Sequence, residues 1–147
     1  MSFNRKKNIL LVIGIVLVAG ASLGYYYYNK GPVDIKNASA IKANAAALYN
    51  AFITDTAAAQ KKYSGKILLV NGAVAQISAN QQGNSVILLK TNNGAGFINC
   101  TLERKTPPDI KEDQSIQVKG ICSGIGEADE DLGLQPDLYM ERCILQP

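Results

Sequence analysis

The chain has 147 residues and a formal net charge of +3, with 15 basic and 12 acidic side chains, three cysteines, no histidine and no tryptophan. Arg5, Lys6 and Lys7 carry that surplus: without these three, the 12 basic residues from Lys30 onward face 12 acidic ones. A balanced domain argues against strong nonspecific binding to phosphate backbones, which draws on an excess of Lys and Arg, and the lack of His removes the commonest general base and metal ligand.

After "NRKKN" the chain is uncharged from Ile9 to Tyr28, about the twenty residues that cross a hydrocarbon core as a helix. Basic residues on its N-terminal side hold that end in the cytoplasm and send the C-terminus outward. Tyr25 to Tyr28 suit the outer interface, and Asn29, Lys30, Gly31 and Pro32 end the helix. A signal peptide cut after Ala21 is the competing reading, because Ala19-Gly20-Ala21 is an A-x-A match. An uncleaved anchor is preferred, since no polar stretch separates the apolar run from that site and the run continues through Leu23. Gly20 and Gly24 form a G-x-x-x-G pair, read as ordinary small residues of a spanning helix. Residues 1–30 are thus the basic tip and anchor, 31–40 a linker and helix start, and 41–147 a helix plus a β-domain. Either reading puts the domain outside the cytoplasm, and the anchor places the chain in the cytoplasmic (inner) membrane.

From Val33 to Tyr63 the pattern is helical, with Ile41, Ala45, Leu48 and Phe52 spaced as one apolar face. Asn37 or Ser39 is the expected start cap, and Asp55 caps a second short helix if the first does not run through. Lys61 and Lys62 suit a last turn, and Ser64-Gly65 ends it. Five strands follow: "KILLVNGAVAQIS", "SVILLKT", "FINCTLE", "SIQVKGICSGIG" and "LYMERCILQ". The segments "ANQQGN", "NNGAG", "RKTPPDIKEDQ" and the acidic "EADEDLGLQPD" connect them. Five short strands are too few for an immunoglobulin sandwich and the right number for a Greek-key barrel of the OB type. Gly72 and Gly120 are bend points where a side chain would clash. The fold class is therefore mainly β: a five-stranded OB-type barrel preceded by one amphipathic helix and one transmembrane helix.

"YSGKILLVNGAVAQI" resembles the opening of the tRNA-anticodon-like OB-fold family of bacterial envelope proteins, in which a helix ending in Tyr-x-Gly-Lys feeds a first strand with a V-x-G-x-V core. "IQVKGICSG" and "LYMERCIL" resemble that family's fourth and fifth strands, each with a Cys, so the resemblance covers about Ile41 to Leu145. It implies the barrel and supplies no catalytic or ligand-binding residues, and fold likeness alone does not give function.

Candidate sites are few. Cys122 and Cys143 lie on the fourth and fifth strands, an antiparallel hairpin in an OB topology, and outside the cytoplasm such thiols are disulfide candidates. The competing reading is three small buried hydrophobes, with Cys100 inside and unpaired. Without His or a C-x-x-C no metal site is expected, and no base stands ready for thiol catalysis. The acidic run Glu127–Asp131, with Asp137 beyond it, lacks EF-hand spacing and reads as a solvated loop. The usual OB ligand face is the outer side of the second and third strands, where alternation places Lys90, Phe97 and Asn99. Phe97 stacked on a base is worth about 1–3 kcal/mol, although one aromatic makes a poor platform.

These features favour a membrane-anchored, non-enzymatic, extracytoplasmic binding or interaction module that uses no cofactor, with a protein or an envelope component as partner. The alternative is an oligonucleotide-binding OB domain. General acid–base catalysis needs groups this chain mostly lacks.

Overall fold

The computed structural model describes residues 3–92, 94, 96–105 and 109–147. Parts of the expected "NNGAG" turn (Asn93, Ala95) and of the proline connection (Thr106–Pro108) lie outside them. The chain divides into two compact units, Met1–Val33 and Asp34–Pro147.

The first unit is α1 (Phe3–Asn29), a single 27-residue helix. Over Lys6–Asn29 its most apolar window has mean hydropathy 2.2 and none of its residues is buried. An acidic residue is absent from its first turn. The Ser22 hydroxyl is satisfied within the helix: its Oγ donates to Val18 O at 2.8 Å. At the C-terminal end the Lys30 ammonium stands 5.1 Å from the centre of the Tyr26 ring, a cation–π contact.

The second unit holds β1 (Ile41–Asn44), α2 (Ala45–Thr54), α3 (Thr56–Tyr63), β2 (Ile67–Ala79), β3 (Ser85–Leu89), β4 (Ile98–Leu102), β5 (Ser115–Ile125) and β6 (Leu138–Gln146). Neighbour order is β1-β2-β3-β4-β6-β5, and β5 returns to pair with β2. Five strands therefore close on themselves, β2 to β6, as the alternation predicts. Pairs are antiparallel except β1 with β2 and β4 with β6. Closure leaves no edge among the five. The core is one cluster, and in β4 the alternation is plain: Ile98, Cys100 and Leu102 are buried while Asn99 and Thr101 are half-buried.

The helical reading from Val33 starts too early. Ile41–Asn44 is an extended strand in parallel register with Leu68–Asn71, and the helix begins at Ala45. Its N-cap is Asn44, not Asn37 or Ser39: the Asn44 side chain accepts from Ala46 N at 3.0 Å. Ladder bonds to a distant strand outweigh the local helical period here, and Ile41 ends exposed rather than on the buried face. Ala45, Leu48, Tyr49 and Phe52 do form that face. The chain breaks at Asp55, whose carboxylate accepts from Ala58 N at 3.1 Å and caps α3. Lys61 and Lys62 occupy the last turn of α3.

Gly72 is where α2 meets the barrel, since a Cβ there would lie 2.8 Å from the Ala45 Cβ. The bulge of β2 falls just beyond it, between Val74 and Gln76. The segment before β1 is also tied down. Ile35 is buried, and Lys119 on β5 donates to the carbonyl oxygens of Lys36 at 3.1 Å and Ala38 at 2.5 Å. Lys119 is only 8% exposed, so these carbonyls replace water around a cation.

Candidate functional site on the outer face of the barrel

Strand register sets one row of neighbours across three strands. Leu88 on β3 pairs with Asn99 on β4, and Asn99 pairs with Tyr139 on β6. One rung further, Val86 pairs with Thr101. Their alternate neighbours Ile87, Leu89, Ile98, Cys100 and Met140 are buried in the core, so this row lies on the outside of the sheet. Leu88, Asn99 and Thr101 are half-buried and Tyr139 is 43% exposed.

Asn99 thus sits where alternation puts it; its register partner on β6 is Tyr139, which the sequence reading did not assign to this face and whose ring lies over Gly126. Phe97, two residues before Asn99, is half-buried. Its backbone is held at both ends: Asp137 Oδ1 accepts from Phe97 N at 2.8 Å, and Phe97 O accepts from Leu138 N at 2.9 Å. Asp137 therefore serves as a strap between β4 and the β5–β6 loop. Lys90, exposed just beyond β3, forms an ion pair with Asp113. Both partners are largely solvated, so the pair adds little stability, but the lysine's charge is already answered.

The β5–β6 loop is fixed to α2 as well. Tyr49 Oη donates to Pro136 O at 2.8 Å. Burial, with a smaller push from the Asp137 charge, raises the Tyr49 phenol above its usual range. The acidic run before it forms a small turn, in which Asp129 pairs with Leu134 and its carboxylate accepts from Leu132 N. Among the described residues no three His, Cys, Asp or Glu side chains converge as a metal site.

At the other end of the row an open groove of about 680 Å³ is lined by Asn80, Asn84, Thr101, Glu103, Glu141 and Arg142. Arg142 Nε donates to Glu103 Oε1 at 2.9 Å across β6 and β4. The candidate face therefore joins an aromatic and amide centre to a groove beside the β2–β3 turn whose lining also includes Leu102, and Lys90 and Arg142 are paired with carboxylates. Only a β4–β6 neighbourhood, invisible in a single strand, brings Tyr139 and Arg142 to it.

All three cysteines are free thiols, and all are buried. Cys122 lies opposite Met140 in the β5–β6 register, whereas Cys143 packs over Gly120, where a Cβ would fall 2.5 Å from its sulfur. Cys122 and Cys143 are thus one rung apart and unbonded in this structure.

A family model described as tRNA_anti-like matches residues 1–132, from the N-terminal helix through β5 into the loop before β6. The chain belongs to this family. No curated protein matches this tRNA_anti-like chain. Among solved structures it is similar to an OBody, AM3L09, bound to hen egg-white lysozyme, with 17% identity, a TM-score of 0.38, and coverage of 57% of this chain and 84% of the other. It is also similar to a putative aspartyl-tRNA synthetase from Leishmania major Friedlin, with 9% identity and a TM-score of 0.43. That match covers 84% of this chain but only 25% of the synthetase. Neither likeness carries an argument about function.

Proposed function

We propose that this chain is a membrane-anchored, non-enzymatic binding module that displays a tRNA_anti-like OB domain outside the cytoplasm, with a protein or envelope component as its ligand. The observation that carries this reading is α1, a helix long enough to span a bilayer whose apolar side chains are exposed along its whole length. Arg5, Lys6 and Lys7 precede it, and four tyrosines and Lys30 end it, which orients the N-terminus inward. On the barrel, the outer face offers Leu88, Asn99, Tyr139 and half-buried Phe97, while its lysine and arginine are engaged by Asp113 and Glu103. Such a surface suits a ligand of low charge recognised through apolar contact and amide hydrogen bonds. No nucleophile–base pair was identified in the sequence, and the chain has no histidine, which favours binding over catalysis.

Fractionation tests the anchor. The full-length chain is expected to stay in the membrane pellet after an alkaline carbonate wash, with an intact mass that includes residues 1–21. A soluble species starting at Ser22 would contradict it and establish cleavage after Ala21.

A second reading is favoured by one observation: Tyr139 beside Asn99 supplies an aromatic in addition to Phe97, and stacked aromatics are the usual platform for single-stranded nucleic acid. Anisotropy of a labelled single-stranded oligonucleotide separates the two. The binding-module reading predicts a flat signal at low salt. Salt-sensitive binding that falls roughly tenfold or more in Tyr139→Ala would transfer the face to oligonucleotides.

A further inference from the structure

Val118 is 0% exposed in the core, so its neighbour Lys119 stands on the outer side of β5. Its register partners are Leu69 on β2 and Ile144 on β6. An outward lysine on a barrel strand ordinarily keeps its ammonium in water, yet Lys119 is 8% exposed. Among the described residues no carboxylate pairs with it. Its bonds go instead to the carbonyls of Lys36 and Ala38, 83 and 81 positions earlier. Both carbonyls belong to one turn, built on Asp34. Lys36 N donates to Asp34 Oδ1 at 3.1 Å, Asn37 Nδ2 donates to Asp34 Oδ2 at 2.7 Å, and Ala38 N donates to Asp34 O at 3.1 Å. Such a turn leaves its last carbonyls without partners of its own, and they suit a cation. Within the same turn Ile35 is 3% exposed. Five residues cannot bury an isoleucine among themselves, so Asp34–Ala38 is packed on the second unit, of which it is the first stretch. Around these two holds the segment is open: Gly31 to Asp34, Lys36, Asn37 and Ser39 are exposed.

We propose that Asp34–Ala38 is a strap latched to the outside of the barrel by Lys119 and Ile35, and that this latch sets the length of the tether between α1 and the barrel. α1 ends at Asn29 and β1 begins at Ile41. With the strap on, four residues, Lys30–Val33, are left as free chain; without it there are eleven, Lys30–Ala40. Extended chain spans at most about 3.6 Å per residue, so the latch cuts the tether's reach from about 40 Å to about 14 Å. Lys119 acts here as a positioning residue. The latch and the candidate face are separate, since Lys119 pairs with Ile144 on β6 whereas Tyr139 pairs with Gly124. That the far end of the tether is held in a bilayer rests on the anchor reading above; the latch does not.

The full-length chain in lipid nanodiscs, where protease reaches both sides, tests both parts. Brief trypsin treatment is expected to cut after Lys30 and to spare Lys36, the second cut being slower by about tenfold or more because the strap must first open. In Lys119→Met, and independently in Ile35→Ser, the Lys36–Asn37 bond is expected to be cut as fast as Lys30–Gly31, with a urea melt showing that the barrel is folded. Ile35→Ser carries the test if the lysine variant does not fold. For the tether, a dye is placed on Gln81→Cys, an exposed position in a chain whose native thiols are all buried. Its energy transfer to acceptor lipids is expected to fall in both variants, by as much as when seven Gly and Ser residues, the difference between the two tethers, are inserted after Gly31 of the otherwise unaltered chain. Equal cutting after Lys30 and Lys36 in the unaltered chain, or a protected Lys36 in either folded variant, would overturn the latch. An opened Lys36 with unchanged transfer would overturn its control of the tether. No transfer in any sample, with Lys36 protected, would instead remove the anchor reading and leave the latch standing.

Discussion

Leu17 and Leu89 are the same side chain in opposite settings: Leu17 is 67% exposed on α1, and Leu89 is 0% exposed inside the barrel. The difference runs through both units. On α1, Ile9 to Leu23 present apolar surface on every side of the helix, so no stripe marks a protein-facing side. In β4, by contrast, Ile98, Cys100 and Leu102 alternate with Asn99 and Thr101, and every second side chain goes in. Water-facing apolar area costs about 25 cal/mol per Å², and a helix that leaves all of its own exposed is compatible with a membrane span. Hydrophobicity alone therefore does not separate the two regions; its period does.

The contrast predicts that mutations in the two regions fail in different assays. The largest effect is expected from Phe52→Ala, which empties a fully buried position where α2 meets the barrel and should cost about 3–5 kcal/mol of barrel stability in urea melts with membrane retention unchanged. Next, Leu17→Arg places a charge at the centre of α1 and should cost about 2.5–3.5 kcal/mol of insertion, read as loss from the membrane pellet with the barrel's urea midpoint unmoved. If either substitution registers in both assays, the two regions are not independent. The smallest effect belongs to Asn44→Ala, which removes the α2 cap and should lower barrel stability by about 1 kcal/mol. A silent Asn44→Ala would mean that the β1 pairing, not the cap, sets where the helix begins.

The barrel strands were legible because each announces itself locally. "FINCTLE" alternates, and its Ile98, Cys100 and Leu102 are all buried. What stayed hidden depends on a partner strand. Ile41–Asn44 reads as helix by spacing, and only the parallel pairing with Leu68–Asn71 makes it a strand. Cys143 faces inward only because Arg142 adopts a left-handed φ, which no alternation rule announces. Tyr139 joins Asn99 through the parallel β4–β6 pairing, which places residues 40 positions apart side by side. Lys119, between Val118 and Gly120, is buried and donates to the carbonyls of Lys36 and Ala38, more than 80 residues earlier in the chain, a contact that no local pattern announces. Of the three face residues named from sequence, Asn99 lies half-buried in the outer row, Phe97 is half-buried with its backbone bonded to Asp137 and Leu138, and Lys90 is exposed and paired with Asp113.

Lys30 precedes Gly31 in an exposed stretch between α1 and the first residues of the second unit, so trypsin added to sealed right-side-out membrane vesicles gives the most direct test of an outward-facing tethered barrel. The account predicts that it releases a soluble domain beginning at Gly31, and that in inverted vesicles the same protease trims only the residues around Arg5–Lys7. Release of the domain from inverted vesicles, with protection in right-side-out ones, would contradict it.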